Sequence, residues 1–404
     1  MSHSFASNKR VVSGMRATGA LHLGHYHGVL KSWMQLQHEY DCFFFVADLH
    51  ALTTHYENPA LIESNVWQMA IDWLAAGLNP GSATLFIQSW VPEHAELHLL
   101  LSMITPLGWL ERVPTYKDQQ EKLKNLDLST YGFLGYPLLQ SADVLVHRAD
   151  YIPVGEDQIP HIEFTREIAR RFNHLYGREA DFESLAESAI EKMGKKNAKL
   201  YRDLRRRFQQ DGDREACATA HALLESQQNL SLGDQDRLQG YLEGGGKIIL
   251  PEPQVLLSET PKLPGTDGQK MSKSYGNAIY LREPAESVDL KIRTMPTDPA
   301  RIKRTDPGEP EKCPVWQLHK VYSDSSVQSW VQEGCRSAGI GCLDCKRPLI
   351  DAVNKELEPI RENAKEYEED PSVVKSILAE GSEAARDEAR RTLDDVKEAM
   401  GIDY

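Results

Sequence analysis

Apolar residues run through the first 175 positions in two alternating rhythms. RVVSGM (10–15), CFFFVAD (42–48) and ATLFIQSW (83–90) are short apolar runs of strand length. The middle one is continuous, as a strand buried on both faces requires. Between them, HYHGVLKSWMQLQHEY (25–40) spaces Val29, Leu30, Trp33, Met34 and Leu36 as a helix does. LIESNVWQMAIDWLAAG (61–77) predicts a second helix, closed by Gly77. Strand and helix alternating at this interval predict an α/β fold with a parallel sheet and right-handed crossovers. Ligands of such sheets bind at the carboxyl ends of the strands, beside helix N-termini. GALHLGHY (19–26), between the first strand and the first helix, falls at that edge.

The pattern changes further on. EKMGKKNAKLYRDLRRRFQQ (191–210) carries eight Lys or Arg against two acids, with Leu200, Leu204 and Phe208 spaced as a helix face. Its basic side reads first as a solvated face, with a salt-sensitive contact to backbone phosphate as the second reading. EGGGK (243–247) reads as a hinge. From 286 onward the periodicity is mostly helical, entered through the proline-rich MPTDPARIKRTDPGEP (295–310).

Composition narrows the classes. The chain has 404 residues, long enough for two or three domains, and its 41% hydrophobic content is ordinary for a globular protein. No apolar run approaches the roughly 18 residues of a membrane span, and MSHSFASNKR has no hydrophobic signal core, so a cytoplasmic location without membrane contact is expected. A formal charge of −14 argues against coating DNA, though not against one local basic surface.

Two loops carry candidate chemistry. In GALHLGHYHG (19–28) the three histidines lack the Cys, Asp or Glu pattern of a zinc site. A glycine-rich turn opening onto a helix N-terminus instead suits an anion. His22 and His25 are then phosphate-side donors, Gly24 permits close approach of a nucleotide, and His27 is scaffold. GTDGQKMSKSYGNAI (265–279) presents Lys270 and Lys273 on a mobile loop with Ser272 and Ser274. Histidine donors on one side and lysines on the other bracket a polyphosphate.

HLGH (22–25) and KMSKS (270–274), in this order and spacing, resemble the two signatures of class I aminoacyl-tRNA synthetases. SGMRATGALHLGHY (13–26), ADLHALTT (47–54), YPLLQSADVL (136–145), IPVGEDQIPHIEFTREIARRFN (152–173) and the last 45 or so residues narrow the resemblance to the tryptophanyl-tRNA synthetases of bacterial type. The resemblance implies activation of L-tryptophan by ATP with Mg²⁺, then transfer to tRNA(Trp), by a homodimer. It implies a Rossmann-like parallel-sheet catalytic domain in two parts, 1–177 and 247–285. A helical insertion (178–246) separates these parts, and an α-helical anticodon-binding domain (286–404) follows. Carried over by motif, Arg16, Ala17, Thr18, His22, Gly24, His25, Gly155, Glu156, Asp157, Lys270, Met271, Ser272, Lys273 and Ser274 contact ATP.

Indole offers a single N–H donor, so its pocket needs a buried acceptor, and Asp143 is the residue chosen. Tyr136 and Gln158 take the ammonium end; Val12, His50 and Ile152 wall the ring. Gln140 stands where many tryptophan enzymes have methionine, and Tyr136, Gln140 and Asp143 together also resemble the tyrosyl-tRNA synthetase pocket. Tyrosine is therefore the alternative substrate, and a silent homologue acting as a binding module the alternative role.

Four of the six cysteines cluster as Cys313-x21-Cys335-x6-Cys342-x2-Cys345. Four thiolates suit tetrahedral zinc or an iron–sulfur cluster. The spacing resembles the branch of the family that carries a [4Fe–4S] cluster, which is favoured over zinc.

Overall fold

The computed structural model describes residues 9–113, 129–178, 181–257 and 263–404. Five strands form one sheet: β1 (Arg10–Arg16), β2 (Asp41–Ala47), β3 (Ala83–Ile87), β4 (Tyr151–Val154) and β5 (Gln254–Leu257), in the order β3-β2-β1-β4-β5. β2 pairs in parallel with β1 (Gly14 opposite Phe45) and with β3 (Phe45 opposite Phe86). β2 is buried from Cys42 to Ala47, which is why its sequence is apolar without alternation. The predicted strand 83–90 is shorter than expected. It stops at Ile87, and Gln88–Trp90 form a 3₁₀ turn whose buried Gln88 side chain accepts N–H bonds from Leu49 and His50 at 3.1 and 3.4 Å. That side-chain oxygen satisfies two of the free N–H groups at the start of helix Asp48–His55.

The chain divides into two compact units. The first comprises 1–90, 153–156 and 256–382; the second comprises 91–152, 157–255 and 383–404. In the first unit, Trp33 stacks on Phe44 with centroids 4.3 Å apart, and Trp73 meets Trp33 edge-on at 5.2 Å. These rings bind helices Lys31–Leu36 and Ala60–Ala76 to β2. Helix Cys342–Glu369 packs on Ala60–Ala76, where Asn363 donates to the Ala75 carbonyl at 3.2 Å.

The first helix departs from the predicted regular span of 25–40. It starts at Leu23–His25, widens into a π turn over Tyr26–Leu30, and resumes over Lys31–Leu36. Within the π turn His27 is buried, and its Nε2 lies 2.8 Å from the Tyr322 hydroxyl and 3.0 Å from Glu356 Oε2. Lys31 Nζ donates to Glu356 Oε1 at 2.6 Å.

In the second unit, helix Tyr136–Leu145 packs between Glu93–Ser102 and Ile159–Tyr176. Helices Phe182–Lys192, Gly194–Asp211, Arg214–Glu225 and Leu232–Glu243 enclose a hydrophobic cluster of their own, including Ile190, Tyr201, Leu204, Leu224 and Leu238. The predicted basic helix is interrupted at Gly194 (φ +78°), which resets the helical phase. Ala198, Tyr201 and Leu204 are buried with Phe208 beside them, whereas Leu200, predicted on that face, points to solvent. The segment leaves and returns through a narrow neck. Lys247 N donates to the Gly177 carbonyl at 2.7 Å, and a Cβ on Gly240 or Gly246 would lie within 2.2 Å of facing backbone. Only glycine fits such a crossing. No described helix is long and apolar enough to cross a membrane.

Burial alone would raise the Glu356 carboxyl, but the bonds and charges of His27 and Lys31 outweigh it and bring it down to about 2. A depressed carboxylate contributes stability that is complete above its ordinary value and lost as pH falls through the folded value. Here that contribution is at most roughly 3 kcal/mol. Glu356→Gln is therefore expected to lower the urea midpoint at pH 7. The gap to the parent chain should start closing below about pH 4.5. A gap unchanged at pH 3 would show that the carboxylate charge is not what is lost.

Candidate nucleotide and amino-acid site

The first-unit loop after β1 is tied to the segment that follows KMSKS. Leu23 N donates to Ile279 O and Leu281 N to Leu21 O, both at 3.0 Å, with His22 and Tyr280 paired as an antiparallel bridge. The buried Asp72 carboxylate clamps this ladder. One oxygen accepts Leu21 N and the other accepts Arg282 Nε, each at 2.6 Å. The two signature segments are thus joined by backbone bonds and one shared carboxylate.

His22 is the N-cap of the short first helix. Its Nδ1 accepts Gly24 N–H at 3.1 Å, and His25 Nδ1 accepts His22 N–H at 3.3 Å. Both Nδ1 atoms act as acceptors, so the ring protons sit on Nε2, and both rings can donate outward. A Cβ at Gly24 would press to 2.9 Å from the His22 ring. Burial and the neighbouring Lys273 charge bring His22 down to about 4. Burial, His22 and Lys273 bring His25 to about 2. The pair is neutral at physiological pH and donates without carrying charge.

The KMSKS loop delivers one lysine to this place. Lys273 Nζ donates to Gly19 O at 2.7 Å and lies 3.3 Å from Thr18 Oγ1. Lys270 is solvent-exposed, Met271 is buried, and nothing is described of the Ser274 side chain. The loop is braced internally by buried Asn277. Its Oδ1 accepts Ser272 N–H at 2.7 Å; its Nδ2 donates to Asp267 at 2.7 Å and to Lys270 O at 3.1 Å. On the other strand of the site, Arg16 donates to Thr54 Oγ1 at 2.6 Å and Ala17 O accepts from Asn65 at 3.3 Å. Gly155 and Glu156, past the end of β4, belong to this unit; Asp157, exposed, belongs to the other. Val12 is buried in β1, and His50 is buried in helix Asp48–His55. Sequence reasoning missed Asp72, Asn277 and Asn65. Asn277, set between Gly276 and an apolar stretch, was the only one with a local signal.

The second unit holds Tyr136, Gln140 and Asp143 on one face of helix Tyr136–Leu145, at i, i+4 and i+7. Tyr136 is buried beside Phe133 and His161, Gln140 is half-buried, and Ile152 is buried in β4. Gln158 is half-buried and donates to Asp157 at 3.2 Å. Asp143 is 1% exposed and takes a 2.7 Å bond from His94 Nδ1. His94 Nε2 in turn lies 3.0 Å from His147 Nε2, and both histidines are wholly buried. Donation by His94 to a carboxylate fixes its tautomer and aims the acid. His94, in VPEHAEL, escaped the sequence reading.

The late cysteines converge in the first unit. Cys313 caps helix Pro314–Tyr322, Cys335 ends helix Ser325–Arg336, and Cys342 and Cys345 occupy the first turn of Cys342–Glu369. Burial, then the other three thiols, push Cys345 up to about 12. Arg301 Nη1 lies 3.8 Å from Cys335 Sγ. Buried Lys346 donates to the Arg293 and Met295 carbonyls at 2.7 and 2.6 Å.

Residues 6–202 and 194–358 match the family model described as tRNA synthetases class I (W and Y). The chain is 66% identical to a tryptophan–tRNA ligase of Ralstonia nicotianae, covering 98% of this chain and 99% of that protein. It is 42% identical to the tryptophan–tRNA ligase of Thermotoga maritima, covering 97% and 99%. Among solved structures, tryptophanyl-tRNA synthetase from Campylobacter jejuni, complexed with ADP and tryptophan, is 28% identical with a TM-score of 0.73, covering 97% and 99%.

Burial brings the Lys273 ammonium down to about 8, against the pull of Asp72. The Lys273 charge is therefore lost from the free protein above that pH. Affinity for a non-hydrolysable ATP analogue is expected to fall toward tenfold per pH unit above about 8. Beyond the ligand's own terminal-phosphate titration, no inflection is expected near 6.5, because both histidines are already neutral there. Equilibrium titration from pH 5.5 to 9.5 checks this, with Lys273→Met as the control that retains only the ligand's titration. A histidine-like inflection would overturn the assignment of neutral donors.

Proposed function

The chain belongs to the class I tRNA synthetases of the W and Y family, and we infer that His22, His25 and Lys273 activate an amino acid with ATP on it. The amino acid is L-tryptophan, ligated to tRNA. The observation that carries the site assignment is the ladder between residues 21–23 and 279–281. It sets two neutral N–H donors and one ammonium in a single place before any nucleotide arrives.

In the first step a carboxylate oxygen of tryptophan attacks the α-phosphorus of ATP. The bond to the bridging oxygen breaks, and pyrophosphate leaves. The attacking carboxylate is already anionic, so no general base is needed. Charge growing on the departing pyrophosphate is met by donors whose orientation is set in advance. Lys273 supplies the cation, His22 and His25 supply Nε2–H, and Lys270, on the same loop, adds a second cation. In the second step a hydroxyl of the terminal tRNA(Trp) ribose attacks the acyl carbonyl, and AMP leaves. Mg²⁺ would neutralise phosphate charge when bound. The carboxylate beside Lys273, Asp72, is occupied by Leu21 and Arg282, so phosphates and water would supply most of the ion's ligands.

For tryptophan itself, Asp143 is the acceptor for the indole N–H, held by His94, with Tyr136 and Gln158 toward the ammonium and Gln140 one turn before the acid. Cys313, Cys335, Cys342 and Cys345 would hold a [4Fe–4S] cluster. It would cross-link the linker at 313, the end of helix Ser325–Arg336 and the start of Cys342–Glu369. Arg301 and Lys346 lie beside the four thiols as cations that an anionic tetrathiolate site would need, and the cysteine spacing favours the cluster over a single zinc ion. Residues 286–404 would carry the anticodon contact, and the working form would be a homodimer.

The test is pyrophosphate exchange into ATP with tryptophan and tyrosine in parallel. Exchange with tryptophan alone is expected, and Asp143→Asn should raise the tryptophan KM by roughly 10- to 100-fold while the ATP KM holds. Exchange with tyrosine instead would overturn the substrate; exchange with neither would favour a silent binding module. For the cysteine site, Cys342→Ser should leave exchange intact and weaken tRNA charging. Normal charging by that variant would reject a role in tRNA binding.

A further inference from the structure

The insertion carries a donor set that amino-acid activation does not use. Cys217 and His221 lie four residues apart on helix Arg214–Glu225, so they share a face. Glu243 ends helix Leu232–Glu243, just before Gly244, whose φ of +79° stops the helix. One ligand atom from each of the three lies within 4.8 Å of the other two, and His221 Nε2 stands 3.5 Å from Glu243 Oε1. Bonds of about 2.0–2.3 Å around a tetrahedral ion place ligand atoms roughly 3.3–3.8 Å apart. Small rotamer changes therefore close the set.

The backbone beneath these donors is fixed. Ala216, Ala220 and Leu224, the adjacent stripe of the same helix, are buried in the insertion's core, and Cys217 packs against its edge. The end of helix Leu232–Glu243 is braced by Arg205 Nε on Tyr241 O at 2.7 Å. Gln209 Nε2 reaches Tyr241 O and Leu242 O at 3.3 and 3.1 Å. The Arg205 guanidinium also lies over the Tyr241 ring, 3.8 Å from its centroid. Donors on packed helices keep their spacing better than donors on loops.

We propose that Cys217, His221 and Glu243 form a binding site for a divalent first-row transition metal, zinc foremost, with its fourth position open to solvent. A thiolate and an imidazole together with a carboxylate suit zinc and disfavour magnesium and calcium, which take oxygen ligands. The bland alternative is a half-exposed His–Glu pair with a thiol nearby by chance; such a pair contributes little. Bound metal would pin the end of helix Leu232–Glu243 to the middle of Arg214–Glu225. The site is separate from the four late cysteines and independent of the reaction proposed above.

The test uses the full-length protein and alkylation of Cys217 read by mass spectrometry of its peptide, with Zn²⁺ or Mg²⁺ added. Zn²⁺ is expected to slow the alkylation and Mg²⁺ to leave it unchanged. In His221→Ala and in Glu243→Gln, the Zn²⁺ needed for protection should rise beyond the 10- to 100-fold that losing an outer-shell partner costs. Equal alkylation with and without Zn²⁺, or protection that survives in both variants, overturns the site. Co²⁺ gives a second readout. A thiolate-to-cobalt absorption band should vanish in Cys217→Ser and persist in Cys342→Ser; the reverse pattern would place the ion on the late cysteines and reject the proposal.

Discussion

Two backbone hydrogen bonds and one carboxylate hold together what the sequence separates by some 250 residues. Leu21 and Leu23 pair with Leu281 and Ile279, and Asp72 takes a proton donor from each side of that ladder. Backbone bonds have little freedom of direction, so pairing these segments sets the height of His22 above the loop that carries Lys273. Removing Asp72 would leave Leu21 N–H and the Arg282 guanidinium without their shared partner, and buried polar groups without partners are costly. The geometry of the proposed phosphate donors thus descends from packing, and their chemistry from geometry.

The same logic governs charge. A buried imidazolium beside Lys273 would have to be desolvated next to a like charge, and the site avoids this by keeping His22 and His25 neutral. Their Nδ1 atoms are spent on backbone N–H groups, which commits Nε2 to outward donation. The second unit uses the complementary device. Asp143 keeps its acceptor capacity in a dry setting because His94 donates to it, and His94 is oriented by His147. In both places a ring whose far nitrogen is already engaged has one role left for its near nitrogen.

Much of this was legible in the residues. Short apolar runs marked β1 and β2, and Gly77 closed its helix in the left-handed conformation at φ +116°. HLGH and KMSKS marked the two loops that meet. Misses arose where tertiary contact, not local pattern, assigns a role. Asp72 sits inside an apolar helix, and its partners lie 51 and 210 residues away. His94 acquires meaning only when helix Tyr136–Leu145 packs against its own. Leu200 was placed on the buried face by its four-residue spacing to Leu204 and Phe208, but the helix buries the stripe Ala198, Tyr201 and Leu204 instead. The π turn at Tyr26–Leu30 left no mark on the apolar spacing, since it keeps Leu30 and Trp33 inside.

The neck at Gly177 and Lys247 has a consequence for ancestry. Entry and exit of the four-helix segment are close enough for Lys247 N to reach the Gly177 carbonyl, and the segment's core is closed on itself. A gene could therefore gain or shed residues 178–246 as one cassette, with the Gly177–Lys247 neck as the splice to mend. A segment whose core is its own can vary in sequence while only its entry and exit stay fixed.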